Sequence, residues 1–436
     1  MPGPLSNPTF RRLFAAQAVA LTGTGLATVA LGLLAYDLAG DSAGAVLGTA
    51  LAIKMVAYVT LAPLAAALAA RLPRRAFLVA LDLVRAAVVF ALPFVDQVWQ
   101  IYGLIFLLQA ASAGFTPAFQ ATIPEVLPGE DDYTGALTLM RIAEDAEQIA
   151  SPLIAAALLT VVSFPTLFAG TVAGFLLSAL LVGTSRLPPR KADRPEPFWA
   201  TATKGMRIYA ATPRLRGLLA LEAAVAAAGA MVYVNTVVLV ETRLALGAPQ
   251  VALAFAAFGA GSILAALLLP RLLHRLADRP LMLSGAGLML AAIAIVPLGA
   301  TLPTLMALWA LAGFGFSLTQ TPIGRILTRS AHDPDRPALF AAQFALSHAC
   351  WLVTYPLAGW LGATLGLSQV ALALAALGAL ALALTWRFWP ANDPETLPHA
   401  HPDLPPGHPH LAQHHAPHAH PFVIDDLHRA WPRPAG

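Results

Sequence analysis

The chain has 436 residues, 58% of them hydrophobic and only 11% charged, with a net charge of +3. A soluble globular chain carries about 25% charged residues, so this composition excludes one. The single cysteine, Cys350, excludes a disulfide framework and cysteine-rich metal sites, and the small positive charge is no footprint of nucleic-acid binding.

Apolar windows of about 20 residues predict twelve membrane spans. The first six cover 13–36, 44–70, 76–95, 98–120, 135–163 and 165–186, and the second six 217–243, 249–273, 280–300, 302–324, 338–364 and 367–389. Hydrocarbon offers the backbone no hydrogen-bond partner, and these runs are too long for barrel strands, so the spans are expected as helices. Phe10-Arg11-Arg12 leads straight into the first span without a signal-peptide cleavage site. The expected fold is an all-α membrane protein, with twelve transmembrane helices in two pseudo-symmetric six-helix bundles. Residues 1–190 form the first bundle, 191–216 a polar connector, 217–390 the second bundle, and 391–436 a disordered tail rich in histidine and proline.

Basic residues set the orientation. Loops on the side of the amino terminus carry Arg71, Arg74, Arg75, the connector cluster, Arg271, Arg275, Arg279, Arg325, Arg329 and Arg336. Those on the other side carry Asp37, Asp41, Asp96 and Glu241, with Arg243 as their one basic residue. This asymmetry places both termini in the cytoplasm.

The halves repeat one another. Thr116-Pro117 in the fourth span matches Thr321-Pro322 in the tenth, and Pro152-Leu153 in the fifth matches Pro356-Leu357 in the eleventh. The basic turn Arg71–Arg75 matches Arg275–Arg279. Two homologous halves imply a central site at their interface, opened alternately to either side by rocking.

Charge inside hydrocarbon costs roughly 2.5–3.5 kcal/mol per residue on insertion scales, so each such residue needs a partner or a use. In the fifth span Arg141, Glu144, Asp145 and Gln148 share one helical face, while Glu147 points away. Glu144 and Asp145 are candidates for binding a divalent cation or exchanging protons with it. His348 in the eleventh span, with Tyr355 on the same face, is a candidate ligand facing those acids; the plainer reading is a core histidine bonded to a neighbouring helix. Lys54 is expected to pair with a carboxylate or to repel the cation. Asn235, near Tyr233, is expected to line the cavity, and Glu222 to lie close to the membrane surface. Asp82 and Arg85 form an i,i+3 structural pair. Arg71, Arg74, Arg75, Arg275, Asp278 and Arg279 fix topology and latch the cytoplasmic face.

Nine of the twelve histidines fall in the tail: His399, His401, His408, His410, His414, His415, His418, His420 and His428. Neutral imidazole is the commonest side-chain ligand for borderline divalent metals, and HxH or HH spacing offers two rings to one ion. Several weak pairs on one chain raise the local metal concentration. The closing segment Phe422–His428 has the apolar content to dock against the body.

With these residues in view, positions 10–390 resemble a major facilitator superfamily transporter. Arg71-Leu72-Pro73-Arg74-Arg75 occupies the place of that family's basic turn between helices two and three. Ala70 stands where an acid is frequent and Pro73 replaces the glycine, while the second-half copy keeps its acid as Asp278. Phe10-Arg11-Arg12-Leu13, and Tyr133 through Pro152 with Asp145-Ala146-Glu147, resemble the macrolide- and siderophore-exporter branch, in which many members have an acid where Thr24 stands here. The histidine tail is similar to that of the nickel-resistance permeases.

The resemblance implies a non-enzymatic secondary exporter in the bacterial inner membrane, acting as a monomer without a cofactor and exchanging Ni²⁺, or Co²⁺, for protons. Its partners would be the metal substrate, protons and lipid, with no nucleic acid. Two alternatives stand beside it. One is an exporter of drugs or metal chelates with a regulatory tail. The other is a membrane-anchored metal buffer or sensor that transports nothing.

Overall fold

The computed structural model describes residues 3–39, 43–188, 197–299, 301–394, 396–399, 418–425 and 427–432. Twelve long helices and two short ones account for nearly all of them. The first bundle contains α1 (Pro8–Ala39), α2 (Ala43–Ala69), α3 (Arg74–Ala91), α4 (Val98–Val126), α5 (Glu130–Leu159) and α6 (Phe164–Gly183). A short helix, α7 (Phe198–Ala211), fills the connector. The second bundle contains α8 (Pro213–Val238), α9 (Ala248–Leu273), α10 (Asp278–Ile295), α11 (Leu302–Gln320) with α12 (Ile323–Arg329), α13 (Arg336–Leu365) and α14 (Leu367–Phe388). Leu239–Arg243 extends α8 by one π-helical turn.

Every predicted span is present, with shifts of a few residues at the ends. Eleven helices among the described residues are long and apolar enough to cross a membrane. The remaining long helix, α5, falls short because Arg141, Glu144, Asp145 and Glu147 interrupt its apolar run. It is nevertheless a full member of the first bundle, lying against α1.

Helix ends follow local chemistry. Proline occupies the first turn of α6, α8, α9, α11 and α13, where its missing N–H removes no intrahelical bond. Gly366 adopts φ +89°, a left-handed geometry that closes α13 and opens α14 within a single residue. The two Thr-Pro pairs behave differently. Pro117 is absorbed inside continuous α4, whereas Pro322 separates α11 from α12, as a proline that removes one bond and crowds the preceding turn can do.

Packing reproduces the duplication suggested by the sequence. In the first bundle α1 packs on α5 and α6, α3 on α4 and α6, and α2 on α4. In the second α8 packs on α13 and α14, α10 on α11 and α14, and α9 on α11. The halves meet through α2 against α13 and α9 against α5, which are equivalent pairs under that correspondence. Between lipid-exposed helices, small residues let backbones approach. A Cβ on Gly261 would overlap the Ala310 carbonyl, and one on Gly313 the Phe258 carbonyl, so α9 and α11 touch backbone to backbone. Phe90, Leu180 and Trp386 lie exposed on the outer surface, as a lipid-facing belt requires.

Both chain ends lie on one face of the bundle, together with the basic turns. Asn7 Nδ2 donates to Val126 O, and Arg214 pairs with Asp393 just after α14. The connector was expected as a polar linker; it also holds α7, whose Ala202, Gly205, Ile208 and Tyr209 are buried. The tail was expected as disordered, yet Thr396–His399 pairs antiparallel with His418–Pro421, with His399 opposite His418. Phe422 and Ile424 are buried against Tyr209, Leu339 and Trp389. Apolar side chains at the end of the tail thus find a surface against which to pack.

Candidate functional site

Between the halves lies a cavity of about 620 Å³, walled by α2, α4, α5, α8, α11, α12 and α13. Arg141 and Glu144 reach it from α5. The i, i+3, i+4 spacing lets one guanidinium hold both acids: Arg141 meets Glu144 Oε2 at 3.0 Å, and Arg141 Nε donates to Asp145 Oδ1 at 3.1 Å. The guanidinium also lies 5.1 Å from the Phe316 ring centroid in the opposite half. Asp145 is 2% exposed, and its second oxygen accepts a hydrogen bond from Ser262 of α9. Glu147 points elsewhere, as expected: its carboxylate crowds Gly25 of α1 beside Ser151. The side chain of Gln148 lies outside the described residues.

Lys54 lines the same cavity, but the expected carboxylate partner is not there. Its ammonium sits 5.6 Å over the Tyr58 ring and makes no ion pair among the described residues. Tyr58 donates to Gln109 Oε1 at 2.9 Å and places its ring 4.8 Å from His348.

His348 also lines the cavity, yet its Nδ1 lies 2.7 Å from the Phe344 carbonyl one turn back on α13. A carbonyl only accepts, so Nδ1 carries the hydrogen. The ring packs on Phe344 at 4.2 Å. The expected metal site between the fifth-span acids and His348 is not assembled: among the described residues no group of three His, Cys, Asp or Glu side chains could hold an ion. The acids are already held by Arg141, and His348 is turned onto its own helix.

Two further expectations change. Asn235 is buried but lines no part of this cavity; its Nδ2 reaches Ala358 O of α13 at 3.5 Å. Glu222, expected to lie close to the membrane surface, lines the cavity at 2% exposure. Its oxygens accept from Gln320 Nε2 at 3.3 and 3.4 Å and from Gln343 Nε2 at 3.2 Å. One signal for this was present in the sequence. Glu222 stands in an alanine-rich stretch with no polar face, and such a helix is buried on all sides. Aromatic rings complete the lining: Tyr133, Tyr233, Phe316, Phe340, Phe344, Trp351 and Tyr355.

At the face carrying the termini, the basic turns are anchored chiefly within their own halves. Arg74 pairs with Glu125 at 2.7 Å, Arg71 lies 5.4 Å over Phe198 of the connector, and Arg279 Nε donates to Trp389 O at 2.9 Å. The link between halves comes from Arg325, one of the basic residues that set the orientation. It meets Asp278 at 3.1 Å in its own half, and Glu130 and Thr134 of α5 across the boundary. Beside it Tyr133 lies against Gly324, and Thr328 Oγ1 stands 3.5 Å from the Tyr133 hydroxyl. Arg75 and Arg275 are exposed.

Of the tail histidines, His401, His408, His410, His414 and His415 lie outside the described residues, as do the side chains of His399 and His418. His420 and His428 place their rings 5.2 Å apart, and His428 Nδ1 is 2.9 Å from Asp425 Oδ1.

A family model described as Major Facilitator Superfamily matches residues 13–239 and 218–421. The chain belongs to the major facilitator superfamily. A curated relative, the uncharacterized MFS-type transporter YfiS of Bacillus subtilis (strain 168), is 26% identical over 124 residues. That match spans 28% of this chain and 30% of the relative. Three solved structures share the fold. The human organic anion transporter MFSD10 superposes with a TM-score of 0.77 at 13% identity, covering 88% of this chain and all (100%) of that one. A bacterial homologue of the iron transporter ferroportin, in an outward-facing state, gives 0.72 at 12% identity over 87% and 99%. The Escherichia coli fucose:proton symporter FucP gives 0.68 at 14% identity over 88% and 98%. As a member of this superfamily the chain is a multi-pass membrane transporter and not an enzyme.

Proposed function

We propose that the protein is a proton-driven exporter of amphipathic organic molecules bearing a positive charge, the drug-type alternative raised by the sequence. The supporting observation is the cavity itself, about 620 Å³, lined by seven aromatic side chains besides His348. A bare divalent ion needs a compact set of ligands; an organic molecule needs apolar walls and a few placed polar groups. Three carboxyl groups, Glu144, Asp145 and Glu222, stand at this site against two cations, Lys54 and Arg141. With all five ionised the site is one charge negative, and it suits a cation that also stacks on aromatic faces.

The chain sits in the inner membrane with its termini and basic turns on the cytoplasmic side, following the basic-residue asymmetry. Substrate enters from that side, and rocking of the halves releases it outside. Competition between substrate and proton for a carboxylate supplies the coupling.

A second reading, export of Ni²⁺ or Co²⁺, is favoured by the nine tail histidines. Purified protein in liposomes separates the two. With a pH gradient imposed, ethidium accumulates and Ni²⁺ does not under the first reading; gradient-dependent Ni²⁺ flux without ethidium flux would replace it by the second.

A further inference from the structure

Glu222 is a buried carboxyl group whose partners are all uncharged. Two amide nitrogens, on α11 and α13, donate to its oxygens, and among the described residues it makes no ion pair. Behind this pair stands a third helix. The Tyr209 hydroxyl, on the connector helix α7, donates to Gln343 Oε1. That bond fixes the orientation of the Gln343 amide, because an oxygen turned toward Tyr209 leaves the nitrogen facing Glu222.

This partner set differs from the one around Asp145. There a guanidinium supplies a full counter-charge to the carboxylate. At Glu222 the partners are amides alone, so no fixed counter-charge competes with an incoming cation or proton for the carboxyl group. The Gln320 amide, which bonds only Glu222 among the described residues, can serve either state: its nitrogen donates to a carboxylate, and its oxygen accepts from a carboxylic O–H after a half-turn, while the Gln343 amide stays fixed by Tyr209. The titratable groups facing Glu222 from packed elements are Tyr209 of α7 and Cys350 of α13. Around the cavity stand Arg141 and Glu144 of α5, Lys54 of α2 and His348 of α13.

We infer that Glu222 is the carboxyl group at which substrate charge and proton exchange, and that Tyr209 is a positioning residue acting on it through Gln343. The inference rests on the cation–proton reading above. Opened to the outside, the carboxylate takes one proton from water as the O–H bond forms and the cation leaves. Opened to the cytoplasm, the O–H bond breaks, the proton passes to water, and an incoming cation meets the carboxylate. The helix joining the halves is thereby tied to the site where the exchange happens.

The test uses the full chain in liposomes, with ethidium as probe, in two modes. One is accumulation driven by a pH gradient; the other is exchange of labelled for unlabelled ethidium at equal pH. Glu222→Gln keeps the shape and removes the charge. It is expected to lose at least about tenfold in driven accumulation while retaining exchange. Driven accumulation at the wild-type level overturns the inference, and so does loss of both modes in folded protein, since Glu222 would then serve binding alone. Absence of both modes in the wild type counts against the functional reading instead. Tyr209→Phe removes one hydroxyl and is expected to move the pH midpoint of exchange by about one unit. An unmoved midpoint removes Tyr209 from the device.

Discussion

Asp145 ties the two halves together at mid-depth: Arg141 of its own helix holds one carboxylate oxygen, and Ser262, 117 residues away in the other bundle, donates to the second. Ser262→Ala deletes the bond between halves and leaves the ion pair whole. A hydrogen bond to a charged group is worth about 1.5–3 kcal/mol, so the variant should favour states in which α5 and α9 separate. Maleimide labelling of Met140→Cys in a Cys350→Ser background reads this out. The Ser262→Ala change should raise the labelling rate at least about fivefold, and an unchanged rate would count against the bond as a latch.

A second latch lies at Arg325, and its two acids are not equivalent. The Glu130 side chain is 76% exposed, whereas that of Asp278 is 11% exposed. Exposed pairs contribute roughly 0–1 kcal/mol, so Glu130→Gln should alter transport by less than about twofold. Asp278→Asn strips the buried partner and should lower both melting temperature and rate by a clearly larger amount. Equal effects of the two variants, measured by thermal denaturation and ethidium flux, would contradict this ranking.

The twelve spans were legible because lipid imposes a length and an apolar character on each one, and both can be read without knowing any neighbour. The α5 charge cluster was legible too, since spacings of three and four residues predict which side chains share a face. What lies across from a helix is another matter. Lys54 was expected to find a carboxylate, but the group it meets is the Tyr58 ring on its own helix, and that ring in turn meets His348 of α13, about 290 residues on. The place of Glu222 in the cavity lining was not legible, because it depends on which elements cover α8. The short helix α7 and the chain end pack over that region, so Glu222 is buried well inside protein. The role of Arg325 depended on α12 turning toward α5 after Pro322, which no local pattern announces.

Gly313 offers a test of the packing that carries α9 against α11. A methyl group there would overlap the Phe258 carbonyl, which is backbone and cannot swing aside. Gly313→Ala should therefore cost about 1–3 kcal/mol, the range for overpacking a tight contact. Gly287 has nothing within 4 Å of its Cβ position, so Gly287→Ala serves as the control. A similar melting temperature for both variants in detergent would show that α9 and α11 have room to part.

The tail gives a prediction about pH. Burial alone would raise the Asp425 carboxyl, but hydrogen bonds from the His428 side chain and from the His428 and Leu427 backbone N–H groups hold it below the ordinary carboxylate value. A carboxyl depressed on docking stabilises the docked tail fully above the free value, near pH 4, and loses that contribution as pH falls through the docked value. Backbone hydrogen exchange of residues 418–425 should therefore stay slow from neutral pH down to about 4 and quicken below it, after correction for the intrinsic rate. Acid can also loosen the bundle itself, so a variant is needed alongside. Asp425→Asn should show fast exchange in this segment already at pH 7, with α8 and α13 unchanged. Truncation after residue 394 tests the same docking while keeping Asp393, which pairs with the buried Arg214. That truncated protein should remain folded and transport ethidium at reduced efficiency. If Asp425→Asn leaves residues 418–425 as protected as in the wild type, the contacts of Asp425 do not hold the tail, and the burial of Phe422 and Ile424 alone must do so.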